Sequence, residues 1–335
     1  TAFWAGLALS VLAYGLIGLG VGASGTSLLA LLATATAERR RAAAATITWL
    51  MMIFGIAVTA GTVGALLDPY SAARLITIVA CVCAGAVCVT ALSVWGIEAR
   101  LRLPIKPERA VRFRDGLAEI WAERKARHFT LFVFLSMTAY FMQELILEPY
   151  AAFVFGLTPG QTTSLSGAQN GGVFMGMLSV GIAVSGLRLG TLRNWVVAGC
   201  LASAGALVAI GVIGLTGSAS ALTGAVIALG FANGAFAVAA IASMMALAGD
   251  GRETREGTRM GLWGAAQAIA AGFGGLVGAA AADLLRLIAP PAQAFGTVFF
   301  FEASLFLAAG LMAWRIIDNS NRRVQRGAAE LVPGE

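Results

Sequence analysis

The stretch FTLFVFLSMTAYFMQELILEPYAAFVF, residues 129–155, decides the fold. It is apolar for longer than the roughly 20 residues a helix needs to cross a bilayer. Yet it carries Gln143, Glu144, Glu148 and Tyr150. Ionisable groups at membrane depth cost about 2.5–3.5 kcal/mol each on insertion scales. Glu144 and Glu148 are spaced to share one helical face, with Tyr140 a turn earlier on that face. Pro149 follows at once and is expected to break the helix near its outer end. A chain that keeps two such acids together pairs them, opens them to a polar cavity, or uses them.

The rest of the chain agrees that this segment lies in a membrane. Of 335 residues, 59% are hydrophobic and 12% charged, against about 25% charged in a soluble domain. The reading is an all-α polytopic membrane protein. Nine spans are expected near Phe3–Leu32, Ala42–Leu67, Ala72–Trp95, Phe129–Phe155, Thr162–Ser185, Trp195–Leu215, Ala219–Ala248, Met260–Leu285 and Ala294–Trp314. The connections alternate in charge. Of 23 Lys and Arg, only Arg74 and Arg286 fall on the side of the Asp68-Pro69-Tyr70, Thr158-Pro159-Gly160, Gly217-Ser218 and Pro290-Pro291 turns. The positive-inside rule then places the other connections and the C-terminus in the cytoplasm, and Thr1 outside. The net charge of +6 is spread over short loops, so no nucleic-acid partner is read.

Residues 98–128 form a cytoplasmic linker in which Glu108–Arg127 reads as an amphipathic helix on the membrane surface. It divides residues 1–97 from residues 129–317, and residues 318–335 form a basic tail. An internal repeat appears at an offset of 214 residues, which sets Arg41 against Arg255 and Trp49 against Trp263. A parallel repeat of that length is about six helices, the arrangement of major-facilitator halves. The expected architecture is therefore a major-facilitator-like bundle, with nine spans visible of an inferred twelve and roughly three preceding Thr1. Small-xxx-small pairs such as Gly18/Gly22, Gly172/Gly176, Gly230/Gly234 and Gly274/Gly278 predict close helix contacts.

The candidate site residues are Gln143, Glu144, Glu148, Tyr150 and Glu302, the last an acid within the final span. The acids either bind a pigment group, a partner or a proton, or are satisfied by water and neighbouring helices. His128, the single histidine, sits at a span entrance and is a weak candidate for a chlorin magnesium. Arg39, Arg40, Arg41 and Arg255 are the basic loop candidates. Cys81, Cys83, Cys88 and Cys200 lie in apolar runs, with packing as their expected role. No phosphate-cradling loop, Ser/His/Asp arrangement or metal-ligand spacing is present. Neither an enzyme nor a metal or nucleotide cofactor is read.

Four stretches carry a resemblance. Gly18–Leu32 (GLGVGASGTSLLALL), Glu38–Thr46 with Trp49–Gly55, Gln143–Tyr150, and Gly261–Ala268 (GLWGAAQA) together resemble the bacteriochlorophyll-delivery branch of the major facilitators, the PucC/LhaA type. Glu144 stands where that family is expected to carry aspartate. The resemblance implies an assembly factor for bacterial light-harvesting complexes. Such a protein would deliver or hold bacteriochlorophyll, antenna polypeptides or both in the inner photosynthetic membrane. The implied partners are antenna polypeptides or the reaction-centre antenna complex, bacteriochlorophyll and membrane lipids. The competing reading is a secondary transporter of a small solute, proton-coupled through Glu144.

Overall fold

A computed structural model describes residues 2–35, 41–96, 121, 123–187, 189–249 and 256–317. The described residues form nine helices and no strand. They are α1 (Ala2–Ala35), α2 (Arg41–Leu67), α3 (Ala72–Val94), α4 (Arg124–Phe155), α5 (Pro159–Gly181), α6 (Leu192–Thr216), α7 (Ala219–Gly249), α8 (Glu256–Arg286) and α9 (Pro291–Ile316). A π-helical turn, Ile182–Gly186, extends α5. Eight of the nine are long and apolar enough to cross a membrane. The protein is an all-α, multi-pass membrane protein. Arg39, Arg40, Arg255, most of the linker helix and the basic tail lie outside the described residues; Arg41 opens α2.

The helix of the expected fifth span, α5, is not among the eight. Its first half carries Gln161, Thr162, Thr163, Ser164, Ser166, Gln169 and Asn170. Such a helix is tolerated at membrane depth where protein rather than lipid surrounds it. That is its situation: glycines bring it against a helix on each side. A Cβ at Gly167 would meet the backbone of Gly61 on α2, and one at Gly172 the carbonyl of Ile227 on α7. Gly230 and Gly234 of α7 answer from the other side, against the carbonyls of Gln169 and Val173. Small residues give helices in lipid their closest approach, where packing and dispersion replace the hydrophobic effect.

The chain divides into two compact units, Thr1–Met52 with Cys83–Pro107, and Ile53–Val82 with Glu108–Glu335. In the first, every described side chain of α1 from Phe3 to Gly25 is exposed, and a Cβ added at Gly18 or Gly22 would have open space around it. Among the described residues the close helix approach expected at that pair is not seen. α3 has no buried residue at all. Cys81, Cys83 and Cys88 are accordingly exposed, and only Cys200, on α6, is buried. The packing role expected of all four cysteines holds for one. An apolar run marks a lipid-facing surface as readily as a core.

The second unit holds α4–α9 together with the end of α2 and the start of α3. Its core has an aromatic cluster toward each end. Phe129 and Trp263 meet at 4.9 Å, and Phe132, Phe236 and Phe306 follow in a chain. At the other end Tyr150 touches Phe155, Phe295 and Phe299. Glycines again set the approach. Gly274 and Gly278 of α8 lie on the backbone of Thr138 and Met142, and Gly199 of α6 on that of Phe236.

The turn between α4 and α5 is fastened to α2. Gly156 ends α4 with φ 67°, a left-handed cap that glycine adopts without steric cost. Thr158 and Gln161 then form a reciprocal capping box at the start of α5. The Thr158 hydroxyl also donates to the Asp68 carboxylate, 2.8–2.9 Å from its two oxygens. Asp68→Ala is expected to lower stability by about 1 kcal/mol, the worth of one exposed charge-assisted bond. Thermal unfolding in detergent measures it, and Thr158→Ala should cost somewhat more because it also removes the cap.

Candidate functional site

Pro149 does not break α4. The helix continues through it to Phe155. A proline removes one backbone donor and crowds the preceding turn, but this one sits between Glu148 and Tyr150, whose side chains are held from neighbouring helices. Six residues remain to the helix end. The loss of one hydrogen bond there is outweighed by the packing of the segment beyond it.

The helix splits the expected site in two. Tyr140, Glu144 and Glu148 follow one another at four-residue intervals along one edge of α4. Glu144 is exposed, while Tyr140 and Glu148 are half-buried. Ser166 of α5 donates to Glu148 Oε1 at 2.6 Å, a short charge-assisted bond. Asn170, one turn further along α5, returns its amide to the Ser166 carbonyl at 3.0 Å. This edge is a polar strip made by α4 and α5, with the Glu144 carboxylate as its open member.

Gln143 and Tyr150 face the other way and are fully buried. They are spaced as two turns of one stripe, with Ile146 between them on the same side. Tyr150 donates to the Ile210 carbonyl of α6 at 2.6 Å, and its ring lies over Gly214. Its surroundings are those of a core residue. Glu302 is fully buried on α9. His128 is half-buried at the start of α4, away from both groups. Among the described residues no group of three or more His, Cys, Asp or Glu is arranged to hold a metal ion.

Three arrangements lie outside the expected site, the first of them an interhelical hydrogen bond of the kind a polar group such as Asn233 within a span leads one to expect. Ser203 of α6 donates to Asn233 of α7 at 2.7 Å, both of them buried. Arg193 stacks over the Trp314 ring at 4.3 Å, and Arg286 over Phe153 at 3.8 Å while pairing with Asp283 at 3.3 Å. Only the last pair had a local signal, the i,i+3 spacing of opposite charges on α8.

Family comparison is decisive at this point: the profile described as PUCC protein matches residues 1–321. The chain belongs to the PUCC family. It is 66% identical over 326 residues to a Rhodobacter capsulatus protein named "Bacteriochlorophyll synthase 44.5 kDa chain", covering 97% of this chain and 74% of that one. "Protein PucC" of Cereibacter sphaeroides is 27% identical, covering 92% of this chain and 66% of its own length. A third relative, "Uncharacterized protein in puhA-bchM intergenic region" of Rhodobacter capsulatus, is 30% identical, with 90% and 65% covered. The chain thus spans about two thirds to three quarters of the length of these members of the PUCC family.

Proposed function

We propose that the protein is an assembly factor for bacterial light-harvesting complexes. It holds or delivers bacteriochlorophyll, antenna polypeptides or both in the photosynthetic membrane. The observation that carries this reading is the family match over nearly the whole chain, joined by 66% identity to a relative named for bacteriochlorophyll. The membrane-embedded fold suits such cargo: chlorin tails and single antenna helices are apolar and travel in lipid. The polar strip of α4 and α5 supplies the specific contact. Glu144 presents carboxyl oxygens at the open end of that strip, suited to an N–H donor of an antenna helix or to the hard magnesium of a chlorin. Glu148, held by Ser166, lies on the same edge.

The word synthase in one relative's name favours a second reading, in which the chain belongs to the pigment-making machinery. Deleting the gene in its host separates the two. Assembly predicts a large fall in antenna absorbance while bacteriochlorophyll is still made. Loss of pigment synthesis itself would overturn that reading in favour of the second. For the site, Glu144→Gln is expected to reduce antenna content severalfold at unchanged protein level. Glu148→Gln keeps an acceptor for Ser166 and should reduce it less. Normal antenna in both variants would remove the strip from the mechanism. A gently purified sample should show bacteriochlorophyll absorbance or co-purifying antenna chains.

A further inference from the structure

Gln143 and Glu302 are fully buried, and neither amide atom of the one nor either carboxyl oxygen of the other has a hydrogen-bond partner. An unpaired buried polar group costs about 1–3 kcal/mol, and more if charged. Four such atoms on two side chains call for an explanation.

The register of the helices brings the two residues level. Phe132 of α4 is linked through Phe236 to Phe306 of α9, and Tyr150 of α4 meets Phe299 and Phe295 of α9. The helices therefore run antiparallel. Gln143 lies on the Tyr150 stripe, two turns back from it. Glu302 lies on the stripe of Phe295, Phe299 and Phe306. Counted from the direct contacts of Tyr150 with Phe295 and Phe299, their depths agree to about 3 Å at 1.5 Å per residue. No lysine or arginine lies on α4, α6, α7, α8 or α9 except at their ends. The other titratable groups on the helices packed around α9 are His128, Tyr140, Glu144, Glu148 and Tyr150 of α4, Cys200 of α6, and Glu256 and Asp283 near the two ends of α8. Of these only His128 can become a cation, and it lies about 22 Å from Gln143 along α4. Asn233 of α7, whose Nδ2 is also unpaired and which lies three residues from Phe236, is the competing donor to Glu302, and the response of the carboxyl band to Gln143→Leu tells the two apart. Two further unpaired donors are placed elsewhere. Trp263 stacks on Phe129, about 21 Å back along α4. Thr138 lies beside Gly274 on the face of α4 that meets α8.

We propose that Gln143 and Glu302 share one proton as a neutral acid–amide pair across α4 and α9. The carboxyl O–H donates to Gln143 Oε1, and Gln143 Nε2–H donates back to the carboxyl C=O. Between these two side chains alone, the count of donors and acceptors calls for a proton. An ionised carboxylate would accept one bond from the amide and leave Gln143 Oε1 without a donor. With one proton taken up from solvent, each group gains its bond and no charge is left in the core. The pair fixes the rotation of α4, and so the placement of Glu144 and Glu148 along its other edge.

Infrared difference spectroscopy of the purified full chain against Glu302→Gln tests this. The variant should lose one band of a protonated carboxyl and no carboxylate band, and Gln143→Leu should shift the carboxyl band. Loss of a carboxylate band instead, or a carboxyl band unmoved by Gln143→Leu, would overturn the proposal. Glu302→Gln should also keep wild-type thermal stability, because an amide at 302 makes the same two bonds without a proton. Glu302→Leu should lower it. Failure of Glu302→Gln to accumulate would likewise count against the pair.

Discussion

Gly230→Val should part α5 from α7 and leave little folded protein in the membrane. A Cβ at Gly230 would occupy the place of the Gln169 carbonyl oxygen, and one at Gly234 that of the Val173 carbonyl. Gly176 makes the reciprocal contact with Phe231. These obstacles are backbone atoms held by their own helical hydrogen bonds, so they do not swing aside as a side-chain end does. Overpacking costs typically about 1–3 kcal/mol, and a seam blocked by backbone belongs at or above the top of that range. The result reaches the proposed site as well, because α5 carries Ser166 and through it holds Glu148. Gly224, on the same helix, is exposed and meets nothing within 4 Å. Gly224→Ala should therefore be neutral or stabilising, by about 0.5–1 kcal/mol. Thermal unfolding in detergent and the monodisperse fraction on size exclusion measure both variants. Equal behaviour of the two would refute the role given to the seam.

The helices were legible because the bilayer fixes their length. Every observed helix overlaps an expected span, with ends shifted by a few residues. The faces were not legible. In water, the apolar side of a helix is its buried side. In lipid, the outer surface is as apolar as the core, so Gly18/Gly22 and Gly230/Gly234 read alike. A Cβ at either glycine of the first pair would have open space, whereas the second pair builds a seam. The three cysteines of α3 misled for the same reason. Polarity was the better guide, and α5 shows why: a helix with seven polar residues in its first half must lie against protein or line a polar cavity. The repeat partners Trp49 and Trp263 also differ, the first exposed and the second fully buried. Matching sequence positions do not ensure matching surroundings.

The site was half legible. Helical geometry places residues 143 and 150 on one stripe and 140, 144 and 148 on another. That division was available from spacing alone. Which stripe faces the protein was not, since each carries one or more polar groups. The Ser166 contact to Glu148 settles one stripe, and the burial of Gln143 and Tyr150 the other. Tyr150 thereby moves from a candidate partner contact to a core residue.

Tyr150→Ala is the sharpest measure of that change. Its ring is enclosed by Phe155, Phe295, Phe299 and the small face at Gly214, and its hydroxyl reaches the Ile210 carbonyl. Three helices, α4, α6 and α9, meet on this one side chain. Removing a large buried aromatic ring costs about 3–5 kcal/mol, since the loss of transfer energy is joined by a cavity. Tyr150→Phe keeps the ring and drops only the hydroxyl. The Ile210 carbonyl remains inside α6, where a helical partner is available to it, so the cost should be about 1 kcal/mol. The two variants separate structure from docking. A core role predicts that Tyr150→Phe assembles antenna normally, while Tyr150→Ala fails in proportion to its loss of folded protein. A docking role for the hydroxyl predicts the reverse for Tyr150→Phe: stable protein and poor assembly. Protein level by immunoblot and antenna absorbance, measured on the same membranes, distinguish them. The short bond to Ile210 favours the first outcome, because a hydroxyl that ties α4 to α6 has no proton left to offer a partner.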